Sequence, residues 1–356
     1  MYSPSRRILV TGGAGFVGSA VCRQLVRSGW GRVVVVDKLT YAGSLASLES
    51  VRACPNFRFE QCDIADSATL ARILREENID CVMHLAAETH VDRSIHAPDA
   101  FIETNIVGTF RLLETVLAYW RGLDERERAG IRFHWVSTDE VFGDVACEDA
   151  HSVTDGRYRP SSPYSASKAS SDHLVAAWHR TYGLPVVISH SCNTYGPYQF
   201  PDKLIPLVVS NAIEEQALPV FGRGTDMRDW IYVDDHARAL ELVLARGLIG
   251  QAYSIAENAP RSNLEVVRSI CRVLDHLRPR PGRASHEQLI TFVADRPGHD
   301  RRYAIGSCGV DVELGWTPKE TFETGLAKTV LWYLDHQGWW RSRRCKAGMT
   351  SPAADE

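Results

Sequence analysis

The run LVTGGAGFVGSAV, residues 9–21, limits the fold more than any other stretch of the chain. A β-branched segment ends at Thr11, glycines follow at Gly12, Gly15 and Gly18, and an apolar helical pattern begins at once. A glycine triplet alone is a weak signal, because glycine-rich turns are common. Between a strand and an amphipathic helix it becomes strong: missing side chains let the backbone approach a pyrophosphate, whose charge meets the amides and positive end of the helix. The rhythm continues downstream. Strand patterns at 7–11, 32–36, 57–61, 81–85, 133–137 and 185–189 alternate with helical patterns over 15–28, 67–77, 99–120 and 165–182. That alternation predicts βαβ units and a parallel sheet covered by helices on both faces.

The expected fold is therefore α/β, a Rossmann-like doubly wound parallel sheet over residues 1–192, carrying the dinucleotide. After Asn193 the pattern loosens into Pro- and Gly-punctuated segments with helices near 234–245 and 263–275. Residues 193–340 are expected to form a smaller C-terminal α+β substrate-binding region, and 341–356 a frayed tail. With 356 residues there is ample core, and a net charge of −4 advertises neither nucleic acid nor an anionic membrane. No apolar run approaches the roughly 18 residues of a membrane span. Nine dispersed cysteines without a Cys-x-x-Cys pair read as reduced thiols of a cytoplasmic protein, and no metal is expected.

Asp37 ends the second strand, nineteen residues beyond Gly18. An acid there accepts from both hydroxyls of an adenosine ribose and repels a 2′-phosphate, which favours NAD over NADP. Lys38 beside it softens that discrimination. Asp63, after the third strand, is placed either to meet an adenine edge or to cap a helix. In SPYSASKAS, Tyr164 and Lys168 stand one helical turn apart on one face. A cation beside the phenol, together with a charged nicotinamide ring, favours phenolate, so Tyr164 is a candidate base for a sugar hydroxyl.

The glycine turn, the strand-end Thr138 and the Tyr164–Lys168 pair together resemble the extended short-chain dehydrogenase/reductase family. Thr138 matches the family's Ser/Thr position, whose hydroxyl helps hold the reacting alcohol. The stretch VSTDEVFGD, residues 136–144, then asks why two carboxylates follow Thr138 directly. Oxidising C4 of a sugar makes the hydrogen on C5 acidic, and a hydroxyl on C6 can then leave as water. That elimination needs a base over C5 and an acid over O6. Asp139 and Glu140 answer the need, and each role contributes roughly 10²–10⁴ in rate.

Longer stretches narrow the resemblance to the dTDP-glucose 4,6-dehydratases: DKLTYAGSLASL, HLAAETHVDRSI, NTYGPYQFPDKLIPL, GRGTDMRDWIYVDDHARAL and DRPGHDRRYAI. This implies hydride removal from C4 of dTDP-glucose to NAD, loss of water across C5 and C6, and hydride return to C6. By carry-over Tyr164 is the base on O4, Asp139 the acid on the C6 hydroxyl and Glu140 the base at C5. The resemblance adds cofactor contacts at Phe16, Val17, Lys38, Leu39, Thr40, Asp63, Ile64, Leu85, Ala86, Ala87, Glu88, Thr89 and Thr104. It places substrate contacts at Thr89, Thr138, Asn193, Lys203, Leu204, Arg228, Asn263 and the run Asp295, Arg296, Pro297, Gly298 and His299. Arg228 suits a diphosphate because its fork makes two charge-assisted hydrogen bonds. Pro219, Val220 and Phe221 offer an apolar edge for the base. Two positions depart from the family: Thr194 stands where a second Asn near the nicotinamide is usual, and Thr89 replaces Ser.

The family's habit of pairing the helices of 99–120 and 165–182 across a two-fold axis implies a homodimer with a four-helix interface. The rival readings are a dehydratase for a UDP- or GDP-linked hexose, a sugar-nucleotide 4-epimerase, and a catalytically silent NAD-binding protein. Asp139 and Glu140 speak against the epimerase, and a silent protein need not keep Thr138, Asp139, Glu140, Tyr164 and Lys168 together.

Overall fold

A computed structural model describes residues 6–144, 157–295, 300–301 and 309–346. Six strands form in chain order: β1 (Arg7–Thr11), β2 (Arg32–Asp37), β3 (Phe57–Gln61), β4 (Cys81–His84), β5 (Arg132–Thr138) and β6 (Val186–Ser191). With the later strand Ala252–Ile255 they make a seven-stranded sheet in the order 252–255, β6, β5, β4, β1, β2, β3. Every neighbouring pair in it is parallel. Val33 to Val36 are fully buried, as a strand covered on both faces requires. The order reverses beside β1, where the connections leave towards β2 on one side and β4 on the other. That opens a crevice at the carboxyl ends of the strands.

The first helix, Phe16–Arg27, buries Val21, Cys22 and Leu25 against the sheet. It packs against Val233–Arg246, so a helix from the second half of the chain completes one face of the first sheet. The helix Pro163–Tyr182 starts on a Ser162 capping box with Pro163 in the first turn and stops at Gly183 in the left-handed region, φ +77°. The stretch 99–122 is not one α-helix. Ile102–Gly108 winds as a π-helix between two α-helical pieces. Buried Asn105 sits in that wide turn, donates to the Glu88 carbonyl and to Ser167 Oγ, and accepts from the Glu88 N–H. The inserted turn thereby fastens the loop after β4 to the helix carrying Tyr164.

A second core lies under the other wall of the crevice, with Ile205, Val209, Val220, Val267, Ile270, Leu326 and Trp340 packed together. The expected frayed tail needs correction. Gln337–Lys346 is a helix, and buried Arg344 donates to Ser210 Oγ at 3.1 Å and Glu214 Oε2 at 3.3 Å. The Arg-Ser-Arg-Arg run reads as a solvated end because its partners lie more than a hundred residues away in sequence. Residues 347–356 lie outside the described residues. Trp340 is fully buried and its indole N–H donates to the Tyr333 carbonyl at 2.9 Å. Trp340→Ala should lower unfolding free energy by about 3–5 kcal/mol in a urea titration; a loss below about 1 kcal/mol contradicts a packed C-terminal helix.

Candidate active site

One cleft of about 530 Å³ opens at the carboxyl ends of β1, β2, β4, β5 and β6. Gly12, Gly15, Phe16, Val17 and Gly18 form its floor. Gly12 has φ +68°, and a Cβ there would stand 2.6 Å from the Ala86 backbone. A Cβ on Gly18 would lie 2.2 Å from the Gly12 carbonyl oxygen. These two glycines let turn, helix and the loop after β4 meet. A Cβ on Gly15 would also crowd the Gly12 carbonyl oxygen, at 3.2 Å, and no side chain caps the helix that starts at Phe16. First-turn amides are thus free of a capping group beside a backbone cradle, which fits a dinucleotide pyrophosphate.

Asp37 lines the same end, its Oδ2 accepting from the Ala14 N–H at 3.0 Å and its Oδ1 from the Leu39 N–H at 2.7 Å. Burial pushes its pKa up and the two amides oppose that. Lys38 reaches Asp63 Oδ2 at 3.3 Å, so its charge has an acid of its own beside Asp37. Asp63 lines the cleft and turns its other oxygen to the Ala65 N–H, while the following helix is capped by Asp66. The helix-capping alternative for Asp63 is thereby excluded. Thr40, Ile64, Leu85, Ala86, Ala87, Glu88, Thr89 and Thr104 complete the lining at this end. Leu39 does not: at φ +60° its side chain packs against the core under the sheet.

Tyr164 and Lys168 enter from the opposite side, both buried. Lys168 Nζ donates to the Val136 carbonyl at 2.8 Å and stands 3.7 Å over the Trp135 ring. The Trp135 N–H donates to Asp172 Oδ1 at 2.6 Å, and His190 Nε2 meets the other oxygen at 2.8 Å. Burial lowers Lys168 to about 7, with Asp172 holding it up. The expected phenolate is not a property of these side chains. Burial, then Glu140, Asp139 and Asp172, push Tyr164 well above its ordinary value, and only a hydrogen bond with Thr138 opposes them. The ammonium is committed to Val136 and the Trp135 face.

Thr138 ends β5 and its hydroxyl caps the short 3₁₀ turn Asp139–Phe142, accepting from the Glu140 N–H. Both carboxylates therefore begin a turn at the strand's end and line the cleft with Tyr164. Asp139 is buried, and burial first, then Glu140, raise its pKa well above the carboxylate range against the pull of Arg228. Both effects favour the protonated carboxyl, the form a general acid needs.

The model of the GDP-mannose 4,6 dehydratase family matches residues 9–329. The chain is 54% identical to the dTDP-glucose 4,6-dehydratase of Neisseria meningitidis serogroup B, over 95% of this chain and 96% of that one. It is 53% identical to dTDP-glucose 4,6-dehydratase 1 of Escherichia coli K12, over 94% of each. A crystal structure of the Streptomyces venezuelae dTDP-glucose 4,6-dehydratase with NAD bound superposes with a TM-score of 0.85 at 43% identity, over 95% of this chain and 99% of that one. The chain belongs to the dTDP-glucose 4,6-dehydratase family.

In this family member Asn193, Lys203, Leu204, Pro219, Phe221, Arg228 and Asn263 line the outer half of the cleft. Arg228 is buried and donates to the carbonyls of Met227 at 2.8 Å and Asp300 at 2.6 Å, which aim its guanidinium. Val220 needs correction: it sits in the second core, because alternate residues of the strand Leu218–Phe221 face opposite ways and only Pro219 and Phe221 reach the cleft. Asp295 packs beside Gly222 and is not part of the lining. Arg296, Pro297, Gly298 and His299 lie outside the described residues. Thr194 lines the cleft with its hydroxyl 2.9 Å from Nδ1 of buried His236, so the position that lacks the usual Asn has a fixed hydroxyl instead. Sequence reading missed Tyr41, His90, Gln199, Phe200, Asp202 and His236, all in the lining. Only their position inside otherwise quoted motifs could have pointed to them.

Lys168 supplies a test of this electrostatic arrangement. Its folded value near 7 lies below the unfolded 10.5, so the unfolded chain binds more protons between those values and stability rises with pH across that window. The slope from this group is at most about 1.4 kcal/mol per pH unit. Urea unfolding between pH 7 and 10 should show the slope in the native protein and a flatter one in Lys168→Met; equal slopes contradict a neutralised buried lysine.

Proposed function

We propose that this chain is a dTDP-glucose 4,6-dehydratase, an NAD-dependent hydro-lyase yielding dTDP-4-keto-6-deoxy-glucose. The observation that carries the reading is the placing of buried Asp139, its pKa raised by burial and by neighbouring Glu140, in one cleft with Glu140, Tyr164 and Lys168. When bound, NAD supplies a positively charged, reversible two-electron acceptor for the sugar. Thr138 holds the C4 hydroxyl and Tyr164 takes its proton as C4 is oxidised. The new carbonyl acidifies C5, Glu140 removes that hydrogen, and Asp139 gives its proton to the C6 hydroxyl, which leaves as water. Protonation at C5 and reduction at C6 then close the cycle with no net redox change. Arg228, Asn193 and Asn263 bind the diphosphate, and Lys203-Leu204 with Pro219 and Phe221 border the base.

Supplied with dTDP-glucose deuterated at C4 in ordinary water, the enzyme should release product labelled at C6 with a solvent hydrogen at C5. Label remaining at C4 indicates epimerase chemistry. Asp139→Asn should cut turnover by roughly 10²–10⁴ while NAD still binds, and Glu140→Gln likewise. Unchanged turnover in both removes the pair from the mechanism.

The functional unit is a homodimer formed by 99–122 and 163–182 of each copy. Ile102 and Tyr182 are exposed on these segments, and Phe110, Trp178 and Tyr182 meet edge to face in succession there. A cytoplasmic site of action fits the seven free thiols among the described residues. Sedimentation should give twice the 39.7 kDa chain mass, and Ile102→Glu with Tyr182→Asp should give one chain mass; a monomeric native protein overturns the dimer.

A further inference from the structure

The end of the chain that reads as frayed carries a guanidinium to the dinucleotide end of the cleft, and the role inferred for it rests on the NAD reading of that end. In the helix Gln337–Lys346, Arg343 lies 3.9 Å over the Trp339 ring. Its Nη1 donates to the Trp339 carbonyl at 2.9 Å and its Nη2 donates to Ser44 Oγ. Ser44 is buried. Its N–H donates to the Ala14 carbonyl within the glycine turn at 2.9 Å, and its hydroxyl accepts from the Ala46 N–H at 3.2 Å.

The residues just before Ser44 form cleft wall. Tyr41, Ala42 and Gly43 line it, and a Cβ on Gly43 would stand 3.1 Å from Asp37 Oδ1. The loop thus wraps the acid at the end of β2. The same C-terminal helix also reaches the opposite wall: Trp339 meets Tyr198 edge-on at 5.8 Å, and the next residues, Gln199 and Phe200, line the cleft.

We propose that Arg343 is a positioning residue for the dinucleotide: by tying the buried Ser44 hydroxyl to the C-terminal helix, it clamps the Tyr41–Ser44 loop over the Asp37 end of the cleft and slows cofactor escape. It touches no reacting atom. The bond is charge-assisted and partly shielded from water, which places it among the stronger hydrogen bonds. The planar fork spans Ser44 and the Trp339 carbonyl together, whereas a lysine ammonium on one flexible stem keeps the charge without that geometry.

Titration calorimetry with NAD on the full chain compares the native protein with Arg343→Ala, Arg343→Lys, Ser44→Ala and the Arg343→Ala, Ser44→Ala double variant. Thermal melting without NAD, turnover at saturating NAD and thymidine diphosphate binding are measured alongside. Arg343→Ala should raise the NAD Kd about tenfold, with Arg343→Lys in between, while turnover at saturating NAD and the thymidine diphosphate Kd stay within about twofold. In the Ser44→Ala background Arg343→Ala should add little, because the two groups act through one bond. An NAD Kd for Arg343→Ala within about twofold of native overturns the inference, as does a full loss that persists in the Ser44→Ala background. Should Arg343→Ala fail to fold, Ser44→Ala alone decides, weaker NAD binding supporting the clamp and unchanged binding overturning it. A native protein that binds no NAD overturns the cofactor reading and the clamp together.

Discussion

Burial of ionisable groups at the ends of parallel strands is the constraint on which the site depends. A strand covered on both faces delivers its last residues into a crevice that water reaches poorly, so each charge there is destabilised unless a partner compensates. One cause then acts in opposite senses on different groups. It raises Asp139 well above its ordinary value, and it lowers Lys168 to about 7. An acid able to donate and a lysine near its titration point thus arise from ordinary side chains, with no unusual residue required. Glu140 sharpens the division, since two adjacent carboxylates in one dry site resist ionising together.

The same burial works against Tyr164. A phenol with carboxylates around it is harder to ionise, and Lys168 directs an N–H to the Val136 carbonyl. Asp172 offsets part of the burial that lowers Lys168. Trp135 offers its ring face to the ammonium and its N–H to Asp172, whose second oxygen is held by His190. A nicotinamide ring, when bound, would bring positive charge that opposes the effect of the carboxylates on the phenol.

Periodic and short-range features were legible in the sequence. β1 and β3 match their expected spans residue for residue, and Asp37, Thr138, Tyr164 and Lys168 all reach one cleft. These follow from strand burial, glycine geometry and helical spacing, which act over a few residues. What was not legible depends on partners far along the chain. The π-turn at 102–108 answers to Asn105 and Glu88, and nothing in the local pattern of 99–122 signals it. Arg343 and Arg344 look solvated until Ser44, Ser210 and Glu214 come beside them. Val220 illustrates a different failure: three apolar residues in a row suggest one face, although the strand period of two sends the middle one into the core.

Contacts across the crevice explain why its two halves act as one site. Lys203 Nζ donates to the Thr89 carbonyl at 2.8 Å, and His90 stands 3.4 Å from Asp202. Tyr41 meets Phe200 edge-on, and the Arg93 guanidinium lies 3.7 Å over the Tyr41 ring. The first three contacts each join a loop on the nucleotide wall, after β2 or β4, to the segment 200–203 on the substrate wall. Reacting atoms must be held about 3–3.5 Å apart for orientation to lower the barrier. Two ligands bound to independently moving walls could not keep that separation. The cross-links tie the nucleotide wall to the substrate wall, so a shift of either wall would be felt by the other.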